Sequence, residues 1–241
     1  MRPVRLFMGL VITLAVATAG HAEEKKWADE AELSYVDTGG NTEVSTLSAK
    51  NLLKYAFSER WLASLKLSVL RGESDGERNA ENYLTEVRLD YLFTDRAYSS
   101  AIAGWSKDQF AGIDGRLYVG PAVGYKLLTE PKHLLLAETG LNLVDEQYTD
   151  DTDKDYIEGR LFSQYEYILT DRNKFSQSLE FLYNFEESKD SNLNSETAVT
   201  SALNHYLSLK TSYVIKYDNR PVPSTLEKTD TILGVTLVVS F

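Results

Sequence analysis

The chain has 241 residues but no cysteine, only two methionines, five prolines and three histidines. Without cysteine it cannot be a disulfide-stapled secreted domain, and it carries no thiol to which a lipid anchor could be attached. One histidine, His21, lies near the N-terminus, which leaves His133 and His205 for chemistry. No phosphate-cradling glycine loop, zinc-ligand spacing or nucleophile elbow occurs. Long apolar runs are almost absent too. The single one, Leu6 to Ala19, is too short, at about 14 residues, to cross a bilayer as a helix. A polytopic helical membrane protein is thereby excluded.

That run follows Arg2 and Arg5 and gives way to the small residues Gly20-His21-Ala22. A charged start, a short apolar core and a small-residue end describe an export signal. We therefore expect a signal peptide over 1–22, cut before Glu23, and a mature domain over 23–241. Loss of Arg2 and Arg5 from 25 basic side chains leaves 23 against 36 acidic ones, a net charge of −13. An acidic exported chain is a poor nucleic-acid binder, and no cofactor is indicated. Tyrosine, at 15 residues, is abundant.

Alternation with period two runs through the mature chain, the mark of strands with one polar and one apolar face. At the C-terminus Leu233, Val235, Leu237, Val239 and Phe241 share a face; Ile232, Gly234, Thr236 and Val238 take the other. In the fourth strand Tyr83, Val87, Leu89 and Tyr91 oppose Glu86, Arg88 and Asp90. Tight-turn signals recur at Phe57-Ser58-Glu59-Arg60, Phe93-Thr94-Asp95-Arg96, Thr129-Glu130-Pro131, Thr170-Asp171-Arg172 and Leu207-Ser208-Leu209-Lys210, with spacings of 36, 35, 41 and 38 residues between their Ser or Thr positions. Looser polar segments lie midway between them, among them 73–80, 109–115, 149–155, 188–195 and 219–228. The pattern predicts twelve strands, near 27–38, 43–56, 61–72, 81–93, 97–108, 115–128, 133–147, 156–168, 174–187, 195–206, 210–219 and 228–241. An even number of strands, short turns on one side and longer loops on the other is the organisation of a transmembrane antiparallel β-barrel of the bacterial outer membrane.

Closure suits a bilayer, where an open sheet edge has no hydrogen-bond partners. Aromatic residues gather at strand ends, as interfacial girdles do: Tyr55, Trp61, Tyr91, Phe93, Tyr98, Tyr125, Tyr165, Tyr167, Phe175 and Phe241 at the tight-turn end, Tyr35, Tyr83, Phe185 and Tyr217 at the other. The competing arrangement turns the faces around, with apolar residues inside a soluble lipocalin-like barrel. Twelve strands enclose more space than such a core fills. In the membrane orientation the charged residues Lys50, Lys66, Glu86, Arg88, Asp90, Glu158, Arg160, Glu166, Glu180 and Lys216 line the lumen, as do Lys54, Arg116 and Lys126. Gly120, Gly124 and Gly140 sit within strands, where they mark bends or close packing.

The final strand resembles the C-terminal assembly signal of outer-membrane proteins, with Phe241 last and Leu233, Val235, Leu237 and Val239 at alternate positions before it. The resemblance implies recognition by the barrel-assembly machinery. The mature chain is also similar, over roughly 27–241, to the domain-of-unknown-function 481 family, described as salt-induced outer membrane proteins. The residues that carry this are Glu32-Leu33-Ser34-Tyr35-Val36-Asp37-Thr38-Gly39-Gly40-Asn41-Thr42-Glu43, Leu47-Ser48-Ala49-Lys50, Tyr91-Leu92-Phe93-Thr94-Asp95-Arg96 and Ser212-Tyr213-Val214-Ile215-Lys216-Tyr217-Asp218-Asn219. The family implies a barrel in contact with outer-membrane lipid and lipopolysaccharide. It brings no catalytic residues.

Three functional expectations follow. A lumen lined with both charge signs suits either a small-solute channel or a structural barrel closed by its own ion pairs. A lipid-modifying enzyme needs a histidine base beside a serine; His205, near Ser201 and Ser208, is the candidate, without an orienting acid. Asp151, Asp153 and Asp155 alternate like the start of a calcium loop, but Tyr156 stands where glycine is required, so 145–155 reads as a solvated outer loop.

Overall fold

The computed structural model describes residues 26–38, 44–74, 77–187, 189–222 and 224–241. The expected export signal over 1–22 and the segment Gly39-Gly40-Asn41 lie outside the described residues. Twelve strands form: β1 Trp27–Thr38, β2 Val44–Ala56, β3 Trp61–Ser74, β4 Glu77–Leu92, β5 Ala97–Asp108, β6 Ile113–Glu130, β7 His133–Tyr148, β8 Asp153–Thr170, β9 Asn173–Asn184, β10 Ser191–Ala202, β11 Leu207–Asp218 and β12 Thr229–Ser240. Each pairs antiparallel with its neighbours in sequence, and β12 returns to β1 to close one barrel.

Side chains near the turns set the tight-turn end. Ser58 Oγ accepts the amides of Arg60 and Trp61, and Thr94 Oγ1 accepts those of Arg96 and Ala97. Thr170 Oγ1 does the same for Arg172 and Asn173. The fifth turn corrects the sequence reading. It is built on Asn204, whose Oδ1 accepts the amides of Tyr206 and Leu207. The turn therefore falls at 203–206, not at 207–210, and β10 and β11 both lie several residues earlier than expected. Asparagine forms this local turn as well as serine or threonine does, so a pattern of hydroxyls alone does not locate it.

The middle strands are taller than predicted, with 18 residues in β6 and β8 and 16 in β7. The stretch 145–155, read as an open loop, is mostly ladder: Asp145 pairs with Asp155 and Gln147 with Asp153. The reversal needs only 149–152. Asp150 Oδ1 holds the Thr152 amide at 3.1 Å, and Asp151 takes a left-handed φ of 63°.

The apolar face looks outward. Leu143, Leu161, Val235 and Leu233 are exposed, whereas Glu158, on the inner face, is 1% exposed. So large and continuous an apolar belt matches a hydrocarbon surrounding rather than water, and the soluble, inverted arrangement does not form. Most girdle aromatics point outward and pack on one another. Trp61 and Tyr91 centroids are 4.8 Å apart, and Tyr55 and Phe57 are 4.9 Å apart. Tyr98 is the exception: it points inward and is buried. His133 belongs to the outer girdle, stacked on Tyr167 at 4.5 Å and bonded through Nδ1 to the Tyr165 hydroxyl at 2.8 Å.

Candidate functional site: the lumen and its mouths

Glu138, inward-facing on β7, is the hub of the lumen. It accepts a two-pronged contact from Arg88 of β4, at 2.6 and 3.1 Å, and a third bond from Arg160 of β8 at 2.9 Å. Arg88 also binds Asp90 Oδ1 at 2.8 Å and Ser100 at 2.7 Å. Arg160 continues to Glu180 of β9 at 2.7 Å, and Glu180 accepts Asn194 of β10. The network therefore runs from β4 to β10, half of the ring. Guanidinium groups suit this task, because a planar fork can serve two carboxylates at once.

Glycines make room for its supports. Tyr98 on β5 lies flat over its register partner Gly124 on β6, and its hydroxyl donates to Glu138 at 2.7 Å. Tyr118 on β6 lies over its partner Gly104 on β5 and donates to Glu86 on β4 at 2.5 Å. A Cβ at either glycine would enter the ring above it. Gly124→Val is accordingly expected to displace Tyr98 and cost about 1–3 kcal/mol, the range for overpacking, measurable as a lowered midpoint of unfolding in detergent. Gly120 packs differently, with a Cβ direction that runs into the Leu141 carbonyl of β7.

A second cluster lies nearer the loop end. Arg116 of β6 pairs with Glu158 of β8 and stands 3.6 Å from Glu146 of β7. Tyr156 donates to Glu146 and accepts from Arg116, and Asn142 donates to Glu158 at 2.9 Å. The wall facing these clusters is built of lysines and is more open. Lys210 of β11 joins Glu32 of β1 at 2.8 Å and Glu196 of β10 at 2.7 Å. Lys50 of β2 stands 3.7 Å from Glu196, across the intervening β1, β12 and β11. Lys66 and Lys54 are exposed on the inner face and form no ion pair with a described residue. Glu166 meets Lys174 at 3.5 Å. Exposures of 33% for Lys50, 29% for Glu196 and 29% for Glu180 mean that these charges border open space within the barrel.

The loop end is bridged along a diameter. Lys216 of β11 binds Asp108 of β5 at 2.9 Å, and these strands are six steps apart in a ring of twelve. The β11–β12 connection takes the same route. Its Val222 carbonyl sits where a Cβ of Gly112 would be, beside Leu226. Gly112 closes the 3-10 turn Gln109–Ala111 between β5 and β6, with φ of 81°. The connection is fastened on its own side as well: Asn219 donates to the Lys189 carbonyl at 2.7 Å, and Arg220 pairs with Glu187. A hydrogen bond from Lys154, reinforced by Arg220, holds the Glu187 carboxyl below the usual range.

The sequence missed Glu138, Glu146, Asn142, Glu196, Lys210, Asp108 and the tyrosines 98, 118 and 156. An available signal was the alternation Glu138, Gly140, Asn142, Val144, Glu146, Tyr148, all inward in β7. His205 stands exposed in the 203–206 turn and makes no side-chain hydrogen bond to Ser201 or Ser208. Asp151, Asp153 and Asp155 are exposed, and no cluster of three or more His, Cys, Asp or Glu residues that could hold a metal occurs among the described residues.

The profile of the family "Protein of unknown function, DUF481" matches residues 31–241. The uncharacterized protein YdiY of Escherichia coli (strain K12) is 28% identical over 208 residues, covering 86% of this chain and 80% of its own. Among solved structures, the translocator domain of autotransporter NalP from Neisseria meningitidis superposes with a TM-score of 0.56 at 9% identity, over 91% of this chain and 89% of its own. The COG4313 outer membrane channel from Pseudomonas putida F1 gives 0.54 at 11% identity, over 89% and 94%. The NanC porin gives 0.51 at 8% identity, over 88% and 97%. At such identities the likeness is one of fold.

Proposed function

We propose, from the premise that this chain belongs to the DUF481 family and folds as an outer-membrane β-barrel, that it is a narrow channel for small polar solutes whose passage is restricted by ion pairs crossing the lumen. The observation that carries this reading is the partial exposure of paired charges deep in the barrel, Lys50, Glu196 and Glu180 above all. Ionised groups left this accessible border water, and water continuous with a polar lumen conducts. The buried Arg88–Glu138–Arg160 cluster narrows one wall; the lysine-lined wall of β2, β3 and β11 stays hydrated. Among the described residues the arrangement offers positioning and charge, and no nucleophile–base pair.

The same ion pairs would make the passage sensitive to salt. The pairs Lys50–Glu196 and Lys216–Asp108 reach across the lumen and are partly exposed. Such contacts weaken with ionic strength, as the Debye length falls from about 10 Å at 0.1 M to about 3 Å at 1 M. In planar bilayers the single-channel conductance is expected to rise more steeply than in proportion to KCl concentration. A strictly proportional rise removes the ion-pair restriction, and absence of ohmic current at every concentration removes the channel.

A further inference from the structure

The ring is not equally closed all round. Eleven ladders hold between eleven and fifteen register pairs each. The β1–β12 ladder holds four, from Glu30↔Ser240 to Leu33↔Leu237. Below them Asp29 and Phe241 exchange backbone bonds at 2.9 and 3.4 Å. Above them both strands continue, β1 to Thr38 and β12 back to Thr229, but the ladder stops. Among the described residues its last tie is a side chain, Ser34 Oγ donating to the Val235 carbonyl at 3.0 Å.

The gap lies at the level of the apolar belt. Leu233 is 75% exposed and Tyr35 63%, against 44% and 40% for Tyr213 and Leu47, the residues beside them on β11 and β2. Leu143, with paired neighbours on both sides, is 61% exposed, so it is the excess at Leu233 that marks surface a paired neighbour would cover. Across the wall the polarity changes within one residue. The outer rim is Leu33, Tyr35, Leu233 and Val235; on the inner side of β12 and β11 are Gly234 and the small polar Ser212 and Thr236. Immediately below, Lys210 sits between Glu32 and Glu196. The axial way out at the loop end is meanwhile bridged by Lys216–Asp108 and by the Val222–Gly112 contact.

We propose that the loop-side half of the β1–β12 seam is a lateral portal, through which a small amphiphile passes between the lumen and the surrounding lipid leaflet, its polar head inside and its hydrocarbon chain in the membrane. The proposal rests on the hydrated lumen argued above. An open edge between two strands costs unsatisfied backbone groups in hydrocarbon, and the head of an amphiphile, or water following it, supplies the missing partners. A purely polar solute has no affinity for the outer rim, and a purely apolar one none for Ser212, Thr236 and Lys210.

The chain's lack of cysteine makes the test direct. Ser34→Cys with Thr236→Cys would continue the β1–β12 register by one pair and, oxidised, tie the seam shut; Gly234→Leu is a second variant that fills the opening from inside without a cross-link. The barrel in lipid vesicles is exposed to a dodecyl phosphocholine carrying a diazirine in its chain and illuminated, and the labelled peptides are mapped. Expected labelling falls on the outer belt, Tyr213 and Val235 included, in all samples, and on the inward-facing residues of the 212–214 and 234–236 segments, Ser212, Val214, Gly234 and Thr236, only in the parent and in the reduced double-cysteine protein. It is lost from those inward-facing residues in the oxidised form and in Gly234→Leu. Inner-segment labelling that survives both variants, or that is absent from the parent, overturns the portal. Single-channel recording on the same samples keeps the two readings apart. Seam-dependent labelling without any conductance leaves the portal standing and removes the channel, whereas conductance with seam-independent labelling does the reverse.

Discussion

Glu138→Ala is expected to destabilise the folded barrel by about 3–5 kcal/mol, the range found when one member of a buried charge pair is removed and the other is stranded. Two arginines would be stranded here. Arg88 is 18% and Arg160 13% exposed at the side chain, so water cannot replace the lost carboxylate freely. Each keeps one further carboxylate, Asp90 and Glu180, but the link between them disappears, and the Tyr98 hydroxyl loses its acceptor. Glu138→Gln keeps an acceptor for Tyr98 and is expected to lose less. Urea unfolding in detergent, followed by tryptophan fluorescence and by the shift in gel mobility between folded and heated samples, measures both. A loss for Glu138→Ala below about 1 kcal/mol, the scale of solvent-exposed pairs, would show that lumen water screens the cluster and that the β4–β10 network is not what stiffens this wall.

Gly112→Val is expected to produce the largest functional change, a severalfold rise in single-channel conductance with little loss of barrel stability. Two obstacles act together at that position. A φ of 81° lies in the left-handed region, unfavourable for a β-branched side chain, and the new Cβ would occupy the site of the Val222 carbonyl. The 3-10 turn and the β11–β12 connection cannot both stay in place. The connection is the part that yields, because it is attached by loop contacts such as Asn219–Lys189 and Arg220–Glu187, whereas Gly112 is bracketed by two ladders and holds the Thr149 amide at 2.9 Å. Recording in planar bilayers, with circular dichroism to confirm intact strands, gives the comparison. An unchanged conductance would mean that the crossing connection does not limit the passage, and would place the restriction at Lys216–Asp108 or deeper.

Strand number, the direction of each face and the position of most turns were legible in the sequence because they follow from local chemistry. A strand with Tyr83, Val87 and Leu89 on one side and Glu86, Arg88 and Asp90 on the other has only one sensible orientation in lipid. What resisted reading was whatever depends on the neighbour two or more strands away. Tyr98 has the composition of a girdle residue and the position of one; only the opposing Gly124 shows that it lies inside. Glu138 is an ordinary glutamate until β4 and β8 are brought round to it. Asp108 and Lys216 are 108 residues apart, and nothing in either segment announces the other. The Asn204 turn is a smaller case, missed through the choice of side chain rather than through distance.

All but one of the twelve ladders join strands that follow each other along the chain. Each of those can form once a short reversal is made, and the entropy of closing such short loops is modest. The remaining ladder joins segments about 200 positions apart, as the Ser34–Val235 bond records, and it is also the shortest. Formation of the cylinder therefore separates into many local zippering events and a single long-range closure with few contacts to reward it. In kinetic terms the curled, still-open sheet is the natural precursor, and circularity is a property the molecule acquires last.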